Sequence, residues 1–110
     1  KELAELSRQG ADGRQPLAEA RLLSARATVR ERIGDVSGAA TDYGQSIALR
    51  EQHGDPDSLW LAADLAHFAA CLARLDRPRE SATAEQHAAA ILKVQRAPGS
   101  HLFAVGSAVR

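Results

Sequence analysis

Three side chains that can bind a metal lie close together in the sequence. Asp64, His67 and Cys71 are separated by three and then four residues, so on one helix they would share a face. A zinc site needs further ligands, and these usually come from a second element of the fold. The other three histidines show no such partnering. We therefore expect a buried thiol at Cys71, and no metal or other cofactor.

The sequence also lacks the motifs of the common catalytic sites. No Ser-His-Asp order, paired acid motif or glycine-rich phosphate loop occurs in a strand-to-helix context. The glycine-containing stretches at 11–14 and 53–56 are typical of turns. The sequence therefore predicts a protein that is not an enzyme.

Length and charge exclude several other classes of protein. A chain of 110 residues is expected to form one domain. Its 14 basic and 14 acidic residues cancel, so no net field favours nucleic acid or an anionic membrane. No apolar run approaches the ~20 residues that span a bilayer. We expect a cytoplasmic protein, and because the sequence has no methionine, a piece of a longer chain.

Helix breakers divide the sequence into helical segments. Alanine supplies about a fifth of the residues, which favours closely packed helices over a sheet. Gly34 can end one helix in a left-handed conformation, and Asp35 and Asp55 can cap the two that follow. Pro16 and Pro78 suit a first helical turn. The predicted main helices cover residues 16–32, 36–52, 56–75 and 76–95, with shorter helical pieces at 2–9 and 101–110.

Apolar residues at helical spacing predict the buried faces. Leu22, Leu23, Val29 and Ile33 form a stripe on the first helix. The expected buried side of the second helix consists of Ala39, Ala40, Tyr43, Ile47 and Ala48. The third helix is apolar on nearly all sides, from Leu59 to Ala73, and is therefore predicted to lie at the centre of the core.

The helical pattern repeats after 42 residues. This offset places Leu17, Ala20, Leu23 and Ala27 on Leu59, Ala62, Leu65 and Ala69. The same offset also aligns the helix breaks of the two units, and it places Pro56 on Pro98. Such self-similarity predicts stacked supersecondary units. We expect one domain over 1–110, in which 1–13 end a preceding helix or cap, 14–55 and 56–97 are two repeats, and 98–110 begin a third.

Large, small and turn residues follow one another in a set order within each unit. In the first unit these are Leu23, Ala27, Gly34, Ala39, Tyr43 and Ser46. In the second they are Leu65, Phe68, Ala69, Leu72, Ser81 and Ala88. Over residues 17–96 this order resembles the tetratricopeptide repeat (TPR) family. The resemblance implies an all-α fold of antiparallel helical hairpins stacked as a right-handed solenoid.

The sequence departs from that family at several positions. The family's period is usually 34 residues, whereas this one is 42, which is similar to longer variants in kinesin light chains and bacterial signalling proteins. Arg26 and Arg30 stand where the family prefers large apolar residues. Asp76 replaces the turn glycine of the second unit, and Glu85 replaces an aromatic residue.

The resemblance also implies a binding groove along the first helix of each unit. Ala25 and Ala63 fall on groove positions, and Arg32 and Arg74 are equivalent residues whose guanidinium groups could hold a partner's carboxylate. Alternatively, both arginines are ordinary solvated side chains or ion-pair partners on the flanks of their helices. The predicted partner-binding residues are Arg21, Ser24, Thr28, Glu31, Arg32, His67, Ala70 and Arg74.

We therefore expect a protein-protein interaction module that binds a peptide or protein partner in this groove. One alternative is a structural scaffold or self-association segment of a larger repeat protein, because two full units fall short of the three that stable arrays usually need. A homo-oligomer is possible in that case. Another alternative is a helical domain that senses a small molecule, which would need an enclosed apolar pocket.

Overall fold

The computed structural model describes residues 14–97, and this part of the chain contains helices and no strand. The four helices are α1 (Arg14–Arg32), α2 (Val36–His53), α3 (Leu59–Arg74) and α4 (Pro78–Arg96). The all-α prediction is confirmed for these residues. The helical pieces predicted at 2–9 and 101–110 lie outside the described residues. No described helix is long and apolar enough to cross a membrane.

Helices that follow each other in the chain pack together and run antiparallel. In the first hairpin, the Ser46 hydroxyl lies 3.0 Å from the Ala20 carbonyl oxygen, and the Thr28 hydroxyl lies 3.1 Å from the Tyr43 hydroxyl. The first half of α1 therefore lies beside the second half of α2, as in an antiparallel pair. In the second hairpin, the Ser81 hydroxyl of α4 donates to the Ala69 carbonyl of α3 at 2.7 Å.

The two hairpins meet through α2 and α3, which also pack against each other. Arg50 of α2 pairs with Asp64 of α3. Tyr43, two turns before Arg50, stacks on His67, which lies one turn after Asp64. These contacts make α2 and α3 antiparallel, so α1 and α3 run parallel. α1 and α3 touch each other as well, where the Ser24 hydroxyl bonds the Asp64 carboxylate.

Both hairpin turns use the same backbone conformation. Gly34 has φ +89° and Asp76, 42 residues later, has φ 63°. In each turn the N–H groups two and three positions beyond the last helical residue donate to carbonyls of the last helical turn, as in the Schellman motif. The two pairs of bonds are Asp35 to Arg30 with Gly34 to Glu31, and Arg77 to Leu72 with Asp76 to Ala73. The left-handed glycine predicted at Gly34 is confirmed.

Substitutions at these two turns should have opposite effects. Gly34→Ala should lower the free energy of unfolding by about 1 kcal/mol, because a Cβ there meets no atom within 4 Å but disfavours the left-handed conformation. Asp76→Gly should raise the free energy of unfolding by about 0.5 kcal/mol, since it removes that conformational cost. Urea unfolding of both variants measures these changes. A destabilised Asp76→Gly protein would contradict this account of the second turn.

The helix starts follow the predicted signals in part. The Asp35 carboxylate caps α2 by accepting from the Gly38 N–H at 3.0 Å, as predicted. Pro78 lies in the first turn of α4 as predicted, although the helix begins at residue 78 and not at residue 76. The start of α3 was predicted wrongly, because Ser58 and not Asp55 is its cap and accepts from the Trp60 N–H at 3.0 Å. α1 begins at Arg14, two residues before the predicted start at Pro16.

The core consists of two clusters, and α2 and α3 both contribute to each of them. One cluster lies among α2, α3 and α4 and contains Ile47, Leu61, Leu65, Ala88 and Ile91, with three further alanines. The other lies among α1, α2 and α3 and contains Ala27, Ala39, Ala40, Tyr43 and Cys71. The prediction that α3 lies at the centre of the core is therefore confirmed.

The apolar stripe predicted to be buried on α1 is mostly exposed. Leu22, Val29 and Ile33 have exposed fractions of 72%, 55% and 73%. The buried residues Ala20 and Ala27 lie on the opposite side of the helix, as the 3.6-residue turn requires. Small side chains on that side let α1 approach α2 closely, so the alanines take the position that the larger residues were expected to fill. Ala48 and Leu59 are exposed as well, contrary to prediction.

Candidate functional site: the groove between α1 and α3

A groove of about 320 Å³ runs between the parallel helices α1 and α3, and α2 forms its floor. We call it the α1–α3 groove. The residues that line it are Arg21, Ser24, Ala25 and Thr28 of α1, Tyr43 and Arg50 of α2, and Trp60, Ala63, Asp64 and His67 of α3.

A buried ion pair holds the floor of the groove together. Arg50 Nε lies 2.8 Å from Asp64 Oδ2, and both residues are about nineteen-twentieths buried. The Ser24 hydroxyl bonds the same carboxylate at 2.8 Å, and the Ser46 hydroxyl is a further partner. One carboxylate in α3 thus connects three helices, and it does so where charge-assisted hydrogen bonds are strong.

The aromatic ring of Trp60 lies at the edge of this groove. The Arg50 guanidinium carbon is 5.9 Å from the ring centre, within the range of a cation–π contact. Trp60 itself is 68% exposed. Arg50 therefore holds one face of a large aromatic side chain, while most of that side chain remains accessible to a partner.

A second polar group lies one to two helical turns further along the groove. The Tyr43 hydroxyl donates to Glu31 Oε1 at 2.9 Å, and the Tyr43 ring stacks on His67 with 5.3 Å between centres. His67 Nδ1 lies 3.6 Å from the same Glu31 oxygen. Burial raises the pKa of Tyr43 to about 12, which moves the loss of the phenol proton further above neutral pH.

The three possible metal ligands on α3 face different surroundings. Asp64 bonds Arg50, His67 stacks on Tyr43, and Cys71 is buried in the second core cluster. Burial, helped by the charge of Glu31, raises the pKa of the Cys71 thiol to about 11. No group of three potential metal-binding side chains occurs within residues 14–97.

Arg26 and Arg30 of α1 share the buried carboxylate of Asp42. Arg26 binds Asp42 through Nε at 2.8 Å and Nη2 at 2.9 Å, and Arg30 Nη1 lies 3.5 Å from the same carboxylate. Hydrogen bonds from Arg26 hold the pKa of Asp42 below its ordinary value. Arg26 and Arg30 thus connect α1 to α2 through ion pairs.

All these buried polar side chains are satisfied. In the described part of the chain, no buried side-chain nitrogen or oxygen lacks a hydrogen-bond partner. A half-satisfied network would favour rearrangement, whereas a complete one favours a single arrangement of the helices. The groove floor is therefore built before any partner arrives.

Five of the eight predicted partner-binding residues belong to this groove or touch it. Arg21, Ser24, Thr28 and His67 line it, and Glu31 bonds the Tyr43 hydroxyl at its floor. The three others are exposed residues outside the lining: Ala70 on α3, and Arg32 and Arg74 at the ends of α1 and α3.

Sequence reasoning missed four residues of the groove. Trp60 and Tyr43 were assigned to packing, and Arg50 and Asp64 were not expected to pair. The pair is separated by 14 residues and a helix break, so no local spacing indicates it. The signal that was available is the antiparallel pairing of α2 with α3, which places residue 50 beside residue 64.

Two larger hollows lie on another side of the molecule. One of about 390 Å³ is lined by Ala40, Thr41, Gly44 and Ala48 of α2, with Phe68, Leu75 and Arg77 among its other residues. The second, of about 350 Å³, shares Phe68 and continues along α4 through Thr83 and His87. We call these two together the α2–α4 side. Phe68 lines both hollows, and neither contains the buried Arg50–Asp64 ion pair of the α1–α3 groove.

Searches against protein-family models, curated proteins and solved structures found no match to this chain.

Proposed function

We propose that the protein binds a peptide, or an extended segment of a partner protein, in the α1–α3 groove. The observation that carries the proposal is the exposed Trp60 ring beside a groove floor that is already hydrogen-bonded. Aromatic anchors of this kind contribute much of the energy of protein interfaces. A floor that needs no rearrangement lowers the entropic cost of binding.

The groove dimensions and charges suit a short extended segment. Ten residues of α1 separate Arg21 from Glu31, which corresponds to about 15 Å along a helix. An extended peptide covers that distance with about five residues. The small side chains of Ala25 and Ala63 leave room for its side chains. We propose that an acidic residue of the partner lies near Arg21 and a basic residue near Glu31.

We further propose that the two hairpins are successive units of a TPR-like, right-handed solenoid. Support comes from the matching φ angles of Gly34 and Asp76 and from the matching burial of Ala20 with Ala62 and Ala27 with Ala69. In this arrangement Arg32 and Arg74 would stand at equivalent ends of the two groove helices, where they could contact a longer partner.

The single tryptophan makes the proposal directly testable. Peptides selected from a random library on the immobilised protein should change the fluorescence of Trp60, the only tryptophan of the chain, when they bind. Ala63→Arg should weaken their binding at least about tenfold, because the new side chain fills the groove. Affinities are measured by fluorescence titration and calorimetry.

The matched control is Ala48→Arg, which places the same side chain at an exposed alanine of the α2–α4 side. Its affinity for the selected peptides should equal that of the wild type. Loss of binding in Ala48→Arg with full binding in Ala63→Arg would contradict the proposal and assign the site to the other side of the molecule.

A further inference from the structure

The stripe formed by Leu22, Val29 and Ile33 is an unpartnered apolar face in the described part of the chain. Each of the three is more than half exposed, and all lie on the side of α1 that faces away from α2. We call this surface the α1 stripe. Isolated exposed apolar residues are ordinary, whereas an aligned row of three indicates an interaction surface.

The second hairpin shows how the corresponding surface is covered. Adding 42 to the residue numbers of the α1 stripe leads to Asp64, Cys71 and Leu75. All three of these face α2. Asp64 pairs with Arg50, while Cys71 and Leu75 pack in the cluster that contains Ala40 and Tyr43.

The last described helix carries the surface that would complete such a contact. We call the contact between α2 and α3 the internal joint. The α2 residues in the internal joint include Ala40, Tyr43, Ile47 and Arg50. Their equivalents 42 residues later are Ala82, Glu85, Ala89 and Leu92 of α4, and all four are exposed. We call this surface the α4 face. Leu92 is one of only two large apolar residues of α4 that are exposed in the described range.

We propose that the α4 face of one copy of the chain packs on the α1 stripe of a second copy, as α2 packs on α3. The register of the α2–α3 joint then places Leu92 opposite Leu22, where the internal joint has the Arg50–Asp64 ion pair. It places Ala82 opposite Val29, where the internal joint has Ala40 and Cys71. Apolar residues meet apolar residues at both positions.

Charge complementarity supports the same register. The equivalents of Tyr43 and Phe68 are Glu85 and Arg26, and in the internal joint Phe68 packs against the cluster that contains Tyr43. The external joint would therefore place an acidic residue against a basic one. Arg26 uses Nε and Nη2 to bind Asp42, which leaves Nη1 for the Glu85 carboxylate of the second copy. A contact between unlike charges favours this pairing over α1 against α1.

The contact joins two different surfaces, so it repeats. Each copy would use its α4 face for one neighbour and its α1 stripe for another, which produces open chains and not closed dimers. A joint of one helix against one helix is at the small end of interface sizes, so we expect weak association. The proposal depends on the equivalence of the two hairpins, and it is independent of whether a peptide binds in the α1–α3 groove.

Sedimentation of the full chain, with variants that block one surface at a time, tests the proposal. The average mass of the wild type should rise above its monomer value of 11.7 kDa, and pass twice that value, between about 10 μM and 1 mM. Leu22→Asp/Val29→Asp blocks the α1 stripe, and Ala82→Asp/Leu92→Asp blocks the α4 face. Each double variant alone should remain a monomer, with an unchanged circular dichroism spectrum because all four positions are exposed.

An equimolar mixture of the two double variants should form a one-to-one dimer that grows no further, since one intact surface of each kind remains. Ala90→Asp, at an exposed alanine outside both surfaces, should associate like the wild type. A wild type that stays monomeric to 1 mM would overturn the proposal. A mixture that stays monomeric, or single-surface variants that still associate, would overturn it as well.

Discussion

Replacing Asp64 by leucine is expected to lower the free energy of unfolding by about 3–5 kcal/mol. The change leaves the Arg50 guanidinium buried without its partner, and a buried unpaired charge costs about that much. It also removes the acceptor of the Ser24 and Ser46 hydroxyls. Urea unfolding followed by circular dichroism measures the change. A loss this large would approach the whole stability of a small domain.

The double variant Asp64→Leu/Arg50→Leu provides the control for that result. With both charges removed, no buried ion remains unpaired, and apolar replacements of buried pairs are often neutral or stabilising. We expect the double variant to be more stable than Asp64→Leu alone. If Asp64→Leu costs less than about 1 kcal/mol, or if the double variant loses as much as Asp64→Leu and Arg50→Leu lose together when each is measured alone, the pair is not the coupled, buried interaction described above.

Leu61→Ala is expected to lower the free energy of unfolding by about 3 kcal/mol. Leu61 has no exposed surface and packs in the cluster among α2, α3 and α4. Its truncation removes buried apolar surface and leaves a cavity that rigid helices cannot fill. Urea unfolding again measures the change, under conditions in which the wild type is monomeric.

The matched control is Leu22→Ala on the α1 stripe. Leu22 is 72% exposed, so we expect the monomer to lose less than about 0.5 kcal/mol. Equal losses at Leu22 and Leu61 would mean that the α1 stripe is buried in the single chain. That result would contradict both the described position of α1 and the proposed contact between copies.

The order of the helices could be predicted because its signals are local. Gly34 ends α1 by taking up a left-handed conformation, and Pro78 begins α4, and each depends only on the chemistry of the residue and its neighbours. The wrong cap at Asp55 shows the limit of such signals. Asp55 and Ser58 are both good caps, and residue type alone does not show that Ser58 is the one used.

The buried face of α1 could not be predicted from hydrophobicity alone. Leucine and valine at helical spacing suggested the α1 stripe, yet close approach to α2 selects the opposite side, which carries Ala20 and Ala27. Large residues maximise buried area, whereas small residues allow short distances between helices. A single sequence does not show whether α2 packs against the side of α1 that carries large residues or the side that carries small ones.

Site residues whose position follows from a single helix were predicted. Those whose role depends on the contact between two helices were missed. Ser24, Thr28 and His67 were expected on a groove face of their own helices, and they line the groove. The Arg50–Asp64 pair requires the register between α2 and α3. Asp42 likewise receives its partners, Arg26 and Arg30, from the neighbouring helix.

The most direct test of the central claim is to map where a selected peptide contacts the protein. Backbone amide shifts recorded by nuclear magnetic resonance during a titration should change most at Arg21, Ala25, Ala63 and His67, with the Trp60 indole N–H among the largest changes. The amides of Thr41, Ala48 and Thr83 on the α2–α4 side should move little. Changes concentrated on that side, with Trp60 unaffected, would contradict the proposal that the α1–α3 groove is the binding site.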